Sequence, residues 1–217
     1  MSITYTSFLT QVRSYTEVDS NVLTDTILDE FIRNTELDIA GKVDYDDIRK
    51  YVTAVTGTQR ILNVPDDCIV IRSVQVISSS TRDFLEKRDT SFMAEYNPTD
   101  ATGLPKYFAN WDDKNIVFAP VPDQAYDIQL NYIKDPDHFN STTDTFLSKH
   151  QENLLLYGVL VECFSYLKGP LDMYKLYQDK YNESTEAFML AQSGRRRRSE
   201  YDNGVMRVPV QSPSPQN

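Results

Sequence analysis

GLPKYFANWDDKNIVFAPVPDQAYDIQLNYIKDP, residues 103–136, holds three strand-like runs separated by turn chemistry. Pro105 to Trp111 and Ile116 to Ala119 are joined by Asp112-Asp113-Lys114-Asn115, a connection short enough to make the two a hairpin. Pro120 and Pro122 cannot donate to a sheet ladder, so they end the second run and turn the chain. In the third run Tyr126, Ile128, Leu130 and Tyr132 alternate with Asp127, Gln129 and Asn131, which buries one face and wets the other. The stretch predicts a compact antiparallel sheet with no catalytic constellation, the kind of part that touches neighbours.

Upstream, the pattern is strand-like back to about Lys50. Lys50 to Val55, Gln59 to Val64, Cys68 to Ile77 and Arg82 to Arg88 are rich in β-branched and aromatic residues, with turns at Gly57 and Pro65-Asp66-Asp67. A short helix is expected at Thr90 to Tyr96, stopped by Asn97-Pro98. Before Asp44 the period is helical. Phe8, Leu9, Val12 and Tyr15 share one face of a first helix; Thr24 is the N-cap of a second, whose stripe of Ile27, Leu28, Phe31, Ile32, Leu37 and Ile39 runs to about Ala40, with Gly41 near the stop.

Downstream, residues 146–168 predict one helix about 35 Å long, apolar on most sides and therefore surrounded by protein. Gly169-Pro170 breaks it, Pro170 suits the first turn of the next helix, and that helix is expected to run from Leu171 to Gln192 and end at Gly194. It presents Tyr174, Tyr177, Tyr181 and Phe188, together with the acids Asp172, Asp179, Glu183 and Glu186. The fold class is α+β: a helical bundle formed by the N- and C-terminal helices (1–44 and 145–194), an inserted antiparallel β domain (45–144), and an extended C-terminal tail (195–217).

The 217 residues carry a net charge of -10, which argues against a body that grips nucleic acid. From Arg195 onward five Arg face two acids, a balance of +3, so residues 1–194 carry -13. The Arg195, Arg196, Arg197, Arg198 run has three readings: a grip on phosphates, a segment that docks into an acidic protein groove, or a solvated run. Tyr201, Val205, Met206 and Val208 follow it, and apolar residues after Arg anchors favour a segment that folds on a partner.

Enzymatic readings fail on inventory. His138 and His150 are the only imidazoles, read as a turn residue and a residue near a helix start; there is no Gly-rich phosphate loop, HExxH, GxSxG or paired-Cys motif, and no cofactor is expected. Asp44, Asp46 and Asp47 lack the Gly and distal Glu of a calcium loop, so no metal site is expected. Cys68 and Cys163 read as buried free thiols. The first residues have no secretion-signal pattern, and the longest apolar run, Leu154 to Val161, is far short of the ~20 residues that span a bilayer, so a soluble, cytoplasmically made protein without a membrane partner is expected. Trp111, at a strand end before a turn, reads as a hairpin-capping aromatic, with base stacking as the rival.

The order of these parts resembles the head-to-tail adaptor (connector) proteins of bacteriophages, especially the tail tubular protein A-like adaptors of short-tailed phages. Two N-terminal helices precede a β-rich middle, in which Gly103-x-Pro105-x-Tyr107 leads to an aromatic-Asp turn and a strand ending in Pro120-x-Pro122. A strand from Tyr126 to Tyr132, two long helices and an extended tail follow. Members with longer insertions in the β domain are common, whereas this chain is compact.

The resemblance implies a non-enzymatic virion protein of the neck, made in the host cytoplasm. It implies a ring, a dodecamer, between portal protein and tail or nozzle protein, with a channel through which DNA passes without sequence-specific binding. It implies that the C-terminal tail docks on the portal, and the Arg-plus-apolar pattern, which does not map residue by residue onto the family, gives Arg195, Arg196, Arg197, Arg198, Tyr201, Val205, Met206, Arg207 and Val208 as the docking residues. Asp172, Asp179, Glu183 and Glu186 would line the channel, and Trp111, Asp112, Asp113 and Lys114 would meet the tail side. A tail-completion or stopper protein at another neck level, or a nucleic-acid-binding module using the Arg run, is the alternative.

Overall fold

The computed structural model describes the backbone of residues 3–78 and 81–202 and the side chains of 3–78 and 81–194. The helices are α1 (Tyr5–Thr16), α2 (Asp25–Lys42), α3 (Thr90–Tyr96), α4 (Phe146–His150), α5 (Glu152–Tyr166) and α6 (Leu171–Asp202). The strands are β1 (Arg49–Val55), β2 (Ile61–Asn63), β3 (Cys68–Ser78), β4 (Thr81–Lys87), β5 (Tyr107–Asn110), β6 (Asn115–Ala119) and β7 (Asp127–Lys134). They form two compact units: a helical unit, with the chain up to Tyr45 and again from Asp137, and a β unit, Asp46–Pro136. Residues 137–144, grouped with the insert on sequence, belong to the helical unit, where Phe139 is fully buried.

In the helical unit α1, α2 and α4 begin where the sequence supplies a side-chain cap. Thr4, Thr24 and Thr145 each accept a backbone N–H with the side chain, and Thr145 and Ser148 form a reciprocal capping box. Phe8, Leu9 and Val12 of α1 and Leu28 and Ile32 of α2 pack with Leu155, Leu156, Val159, Leu160 and Cys163 of α5. Helix α5 is therefore the axis, packed against α1, α2 and α6. The expected helix over 146–168 is two helices, because Gln151 leaves helical geometry at φ -136, ψ 42. Phe146 stacks on Tyr45 with ring centroids 5.7 Å apart and meets Phe188 at 6.3 Å, so the first turn serves a separate aromatic cluster. Apolar periodicity runs through the break because both pieces bury their apolar sides.

Three other boundaries differ from expectation. Helix α2 passes through Gly41 to Lys42, and Leu37, counted in its apolar stripe, is exposed. Pro170 precedes the first turn of α6, its carbonyl accepting the N–H groups of Met173 and Tyr174. Helix α6 does not stop at Gly194 but continues to Asp202, so the Arg run lies within a helix and not in an extended tail.

The β unit is a seven-stranded sheet of order β1-β7-β3-β4-β5-β6-β2. The β5–β6 hairpin forms as expected, with Phe108 opposite Phe118. Strand β7 does not extend it: it lies between β1, which pairs with Asp127 to Ile133, and β3, which pairs with it as far as Lys134. Nor is the sheet wholly antiparallel, since β4 and β5 pair in parallel through Glu86–Tyr107 and Lys87–Phe108. Helix α3, inserted between these strands, supplies the crossover that a parallel pair requires. Val52, Leu130, Val74 and Leu85 form a cross-strand row on the core face, beside Ile128, Val76 and Tyr132.

Gly158 is a point of close approach inside the helical unit. A Cβ built on it would overlap Thr35 Cγ2 of α2 and stand 3.0 Å from the Tyr181 ring of α6, on the far side of which the hydroxyl donates to Asp38 at 2.6 Å. Gly158→Val is expected to cost roughly 1–3 kcal/mol, the range for overpacking a close-packed site, read as a lowered midpoint in urea unfolding. An unchanged midpoint would show that the three helices do not close on this position.

Candidate functional surfaces

Glu36 stands on the inner face of α2 between Ile32 and Ile39, and it is fully buried. Its Oε1 accepts the Phe139 N–H at 3.0 Å and its Oε2 lies 2.9 Å from His138 Nδ1; the Thr145 hydroxyl donates to Oε1 at 3.4 Å. His138 Nε2 is 3.1 Å from Asp29, which also accepts from the Tyr5 hydroxyl at 2.9 Å. Burial pushes the Glu36 carboxyl above its ordinary pKa, although hydrogen bonds from His138 and Phe139 pull the other way. A Glu–His pair invites an acid–base reading, but here the carboxylate is enclosed and its oxygens are occupied by the chain itself. It ties the returning chain to α2. Sequence reasoning placed His138 as structural and did not single out Glu36, whose signal is a lone acid spaced i, i+4 from Ile32 inside an apolar stripe.

Helix α6 has two unlike faces. Tyr177, Tyr181 and Phe188 are buried, Tyr177 stacking on Phe164 at 5.3 Å, so the tyrosines pack against the preceding helix instead of lining a ligand groove. Asp172, Asp179, Glu183 and Glu186 are all exposed. With Leu176 and Leu190, 45% and 72% exposed, they follow steps of four and three residues, which at 3.6 residues per turn makes one stripe opposite the buried face. Among the described residues none of the four acids has an ion-pair partner. Arg195, Arg196, Arg197, Arg198 and Tyr201 lie in the last turns of α6, and Val205, Met206, Arg207 and Val208 lie outside the described residues.

The β5–β6 turn is built by Asp112. Its carboxylate accepts the Lys114 N–H at 2.8 Å and the Asn115 side-chain amide at 2.9 Å, and these bonds, the Asn115 one foremost, hold its pKa below the usual range. Trp111 is 58% exposed, and Lys114 reaches Asp66 at 3.0 Å in a fully solvated pair worth little. The four residues assigned to the tail side are thus together at one tip. That tip sits at the same end of the β unit as Asp67, which accepts from Lys50 and Tyr132 at 2.8 and 2.9 Å beside the start of β1.

One feature was not read from sequence. The outward face of β1, β7, β3 and β4 carries Tyr51, Val55 and Phe84, exposed by 68%, 63% and 71%. Between them lie Thr53, Gln129 and Gln75, with the Asn131 amide donating to Ser73 at 3.0 Å. At one end Arg49, Arg72 and Tyr51 border a depression of about 280 Å³. Alternation within β1 gave the faces, but the surface needs β7 between β1 and β3.

Among the described residues no three His, Cys, Asp or Glu side chains gather as metal ligands, and no helix is long and apolar enough to cross a membrane. Both cysteines are free, and burial pushes the Cys163 thiol up to about 12. The family model described as SU10 adaptor protein matches residues 3–209, and the chain belongs to that family. Membership gives a phage neck adaptor role of structural type, in agreement with the resemblance to head-to-tail adaptors. No curated protein matches the chain.

Because the Glu36 pKa is raised on folding, its contribution favours the folded state most below the unfolded carboxylate pKa and is lost as pH rises through the folded value. Wild type is therefore expected to gain stability relative to Glu36→Gln as pH falls from 7 toward 4.5, measured by urea unfolding at each pH. A flat or opposite trend would mean that the donors around the carboxylate match or outweigh the cost of burying its charge.

Proposed function

We propose that the chain is a head-to-tail adaptor that assembles as a ring, a dodecamer, between the portal protein and the tail or nozzle protein, around a channel for DNA. The observation that carries this reading is the extent of the family match, residues 3–209, which takes in both units and the C-terminal segment as far as Pro209. That segment holds Arg195, Arg196, Arg197, Arg198, Tyr201, Val205, Met206, Arg207 and Val208, the proposed portal-docking residues. Its net +3 against -13 for residues 1–194 keeps one end of the chain attractive to an acidic partner. A body of that charge, repeated around a ring, repels phosphates and lets DNA slide without sequence-specific binding. Trp111, Asp112, Asp113 and Lys114 at the hairpin tip are the proposed contact with the tail side.

Negative-stain imaging and mass photometry with the cognate portal are expected to show rings seated on it; a chain that ignores portal would sink the adaptor reading. Removing residues 195–217 is expected to abolish portal docking while leaving the melting transition unchanged and lowering the helical CD signal only by the lost end of α6, residues 195–202. A tail that instead grips nucleic acid would give DNA binding that falls steeply with salt, by several units on a log–log plot, and is lost in the same truncation.

A further inference from the structure

We infer that the open face of β1, β7, β3 and β4 receives the outer stripe of α6 from a second copy of this chain, and that this contact is the seam between neighbouring subunits. The inference rests on the ring reading and says which surfaces close the ring. It assigns Asp179, Glu183 and Glu186 to the seam and not to the channel wall.

The leucines decide between those two places. Leu176 and Leu190 stand among the acids at 45% and 72% exposure, and an apolar side chain in a water-filled channel gains nothing from its position. The open sheet face has the complementary composition. Tyr51, Val55 and Phe84 are its exposed apolar residues, uncharged Thr53, Gln75 and Gln129 fill the centre, and Arg49 and Arg72 stand at one end. Aromatic residues with Arg at the margin and few charges at the centre are the composition of a protein interface. Arg49 and Lys50 already meet Asp46 at 3.4 Å and Asp67 at 2.8 Å, in pairs that are partly exposed. The α6 stripe brings net negative charge to this end.

The dimensions agree. From Asp172 to Leu190 the stripe is about 27 Å long, while β1 from Arg49 to Val55 is about 20 Å and the four strands are about 14 Å across. A helix laid on a bare sheet face completes a two-layer packing. The two surfaces are unlike, so the contact is head-to-tail, the only kind that closes a ring of many copies.

The test uses the full-length chain carrying Tyr51→Glu with Phe84→Glu, or Leu176→Asp with Leu190→Asp. Each pair is expected to weaken self-association by about tenfold or more in analytical ultracentrifugation and to remove rings on portal, with unchanged CD. Mixed one to one, the two variants retain one good surface each and are expected to form dimers and no ring. Rings that survive either pair, or a mixture that stays monomeric, would overturn the seam while leaving the ring reading intact. Wild type that forms no ring, with or without portal, would remove the ring reading; a concentration-dependent wild-type dimer lost in both variants would still support the contact. Should the apolar changes prevent folding, Arg49→Glu with Arg72→Glu mixed with Glu183→Lys and Glu186→Lys gives the same reading by charge exchange, with association restored only in the mixture.

Discussion

A carboxylate taken out of water must find donors, and Glu36 finds them about a hundred residues away. Phe139 and Thr145, 103 and 109 positions along the chain, supply an N–H and a hydroxyl, and His138 supplies its ring. All three belong to the segment that follows the β unit, so the site is complete only once the chain has made that excursion and returned. An unpaired buried charge costs several kcal/mol, which makes the return position specific as well as favourable. Phe139 then packs edge-on against Tyr5 and Phe8 at 5.6 and 5.7 Å, and Thr145 caps α4. One acid thus fixes a loop, a core aromatic and a helix start.

The same anchoring sets up α5 and, through it, α6. Gly158 lets α2 and α6 approach the axis helix from two sides, and Tyr181 spans from α6 to Asp38 of α2. With Tyr177, Tyr181 and Phe188 committed inward, the spacing of an α-helix forces Asp179, Glu183 and Glu186 outward. The outer stripe is therefore a consequence of how the inner face is locked.

Most elements were legible because the signals were local. Thr24 and Thr145 cap helices, Thr90 to Tyr96 is a helix with the expected bounds, and the alternation from Tyr126 to Tyr132 gave the buried face of β7. What stayed hidden was pairing over distance. Nothing near Asp127–Lys134 says that its partners are β1 and β3, because chain neighbours suggest β6, and the parallel β4–β5 pair rests on a crossover through α3. The open sheet face could not be read for that reason. The break at Gln151 was invisible for another: it carries neither Gly nor Pro, and the apolar pattern continues across it. Glu36 was legible in principle, as an acid where its helix demands an apolar residue, but its donors lie beyond any local pattern.

Charge is distributed unevenly between the parts. Residues 1–45 with 137–194 sum to -9, residues 46–136 to -4, and the segment from Arg195 onward to +3. Copies of such a chain repel one another, and at physiological salt that repulsion is screened beyond about 8 Å. In the seam proposed above the attraction comes from short-range contact of exposed Leu190, Phe84 and Tyr51, since apolar burial is indifferent to the sign of distant charge. Electrostatics retains a different task. A stripe of acids meeting Arg49 and Arg72 at one end of a face with an uncharged centre favours one orientation of helix on sheet and penalises the reverse. In a head-to-tail assembly an error of orientation repeats at every subunit and the ring cannot close. In the proposed seam the acids on α6 therefore set orientation, and the apolar residues supply the binding energy.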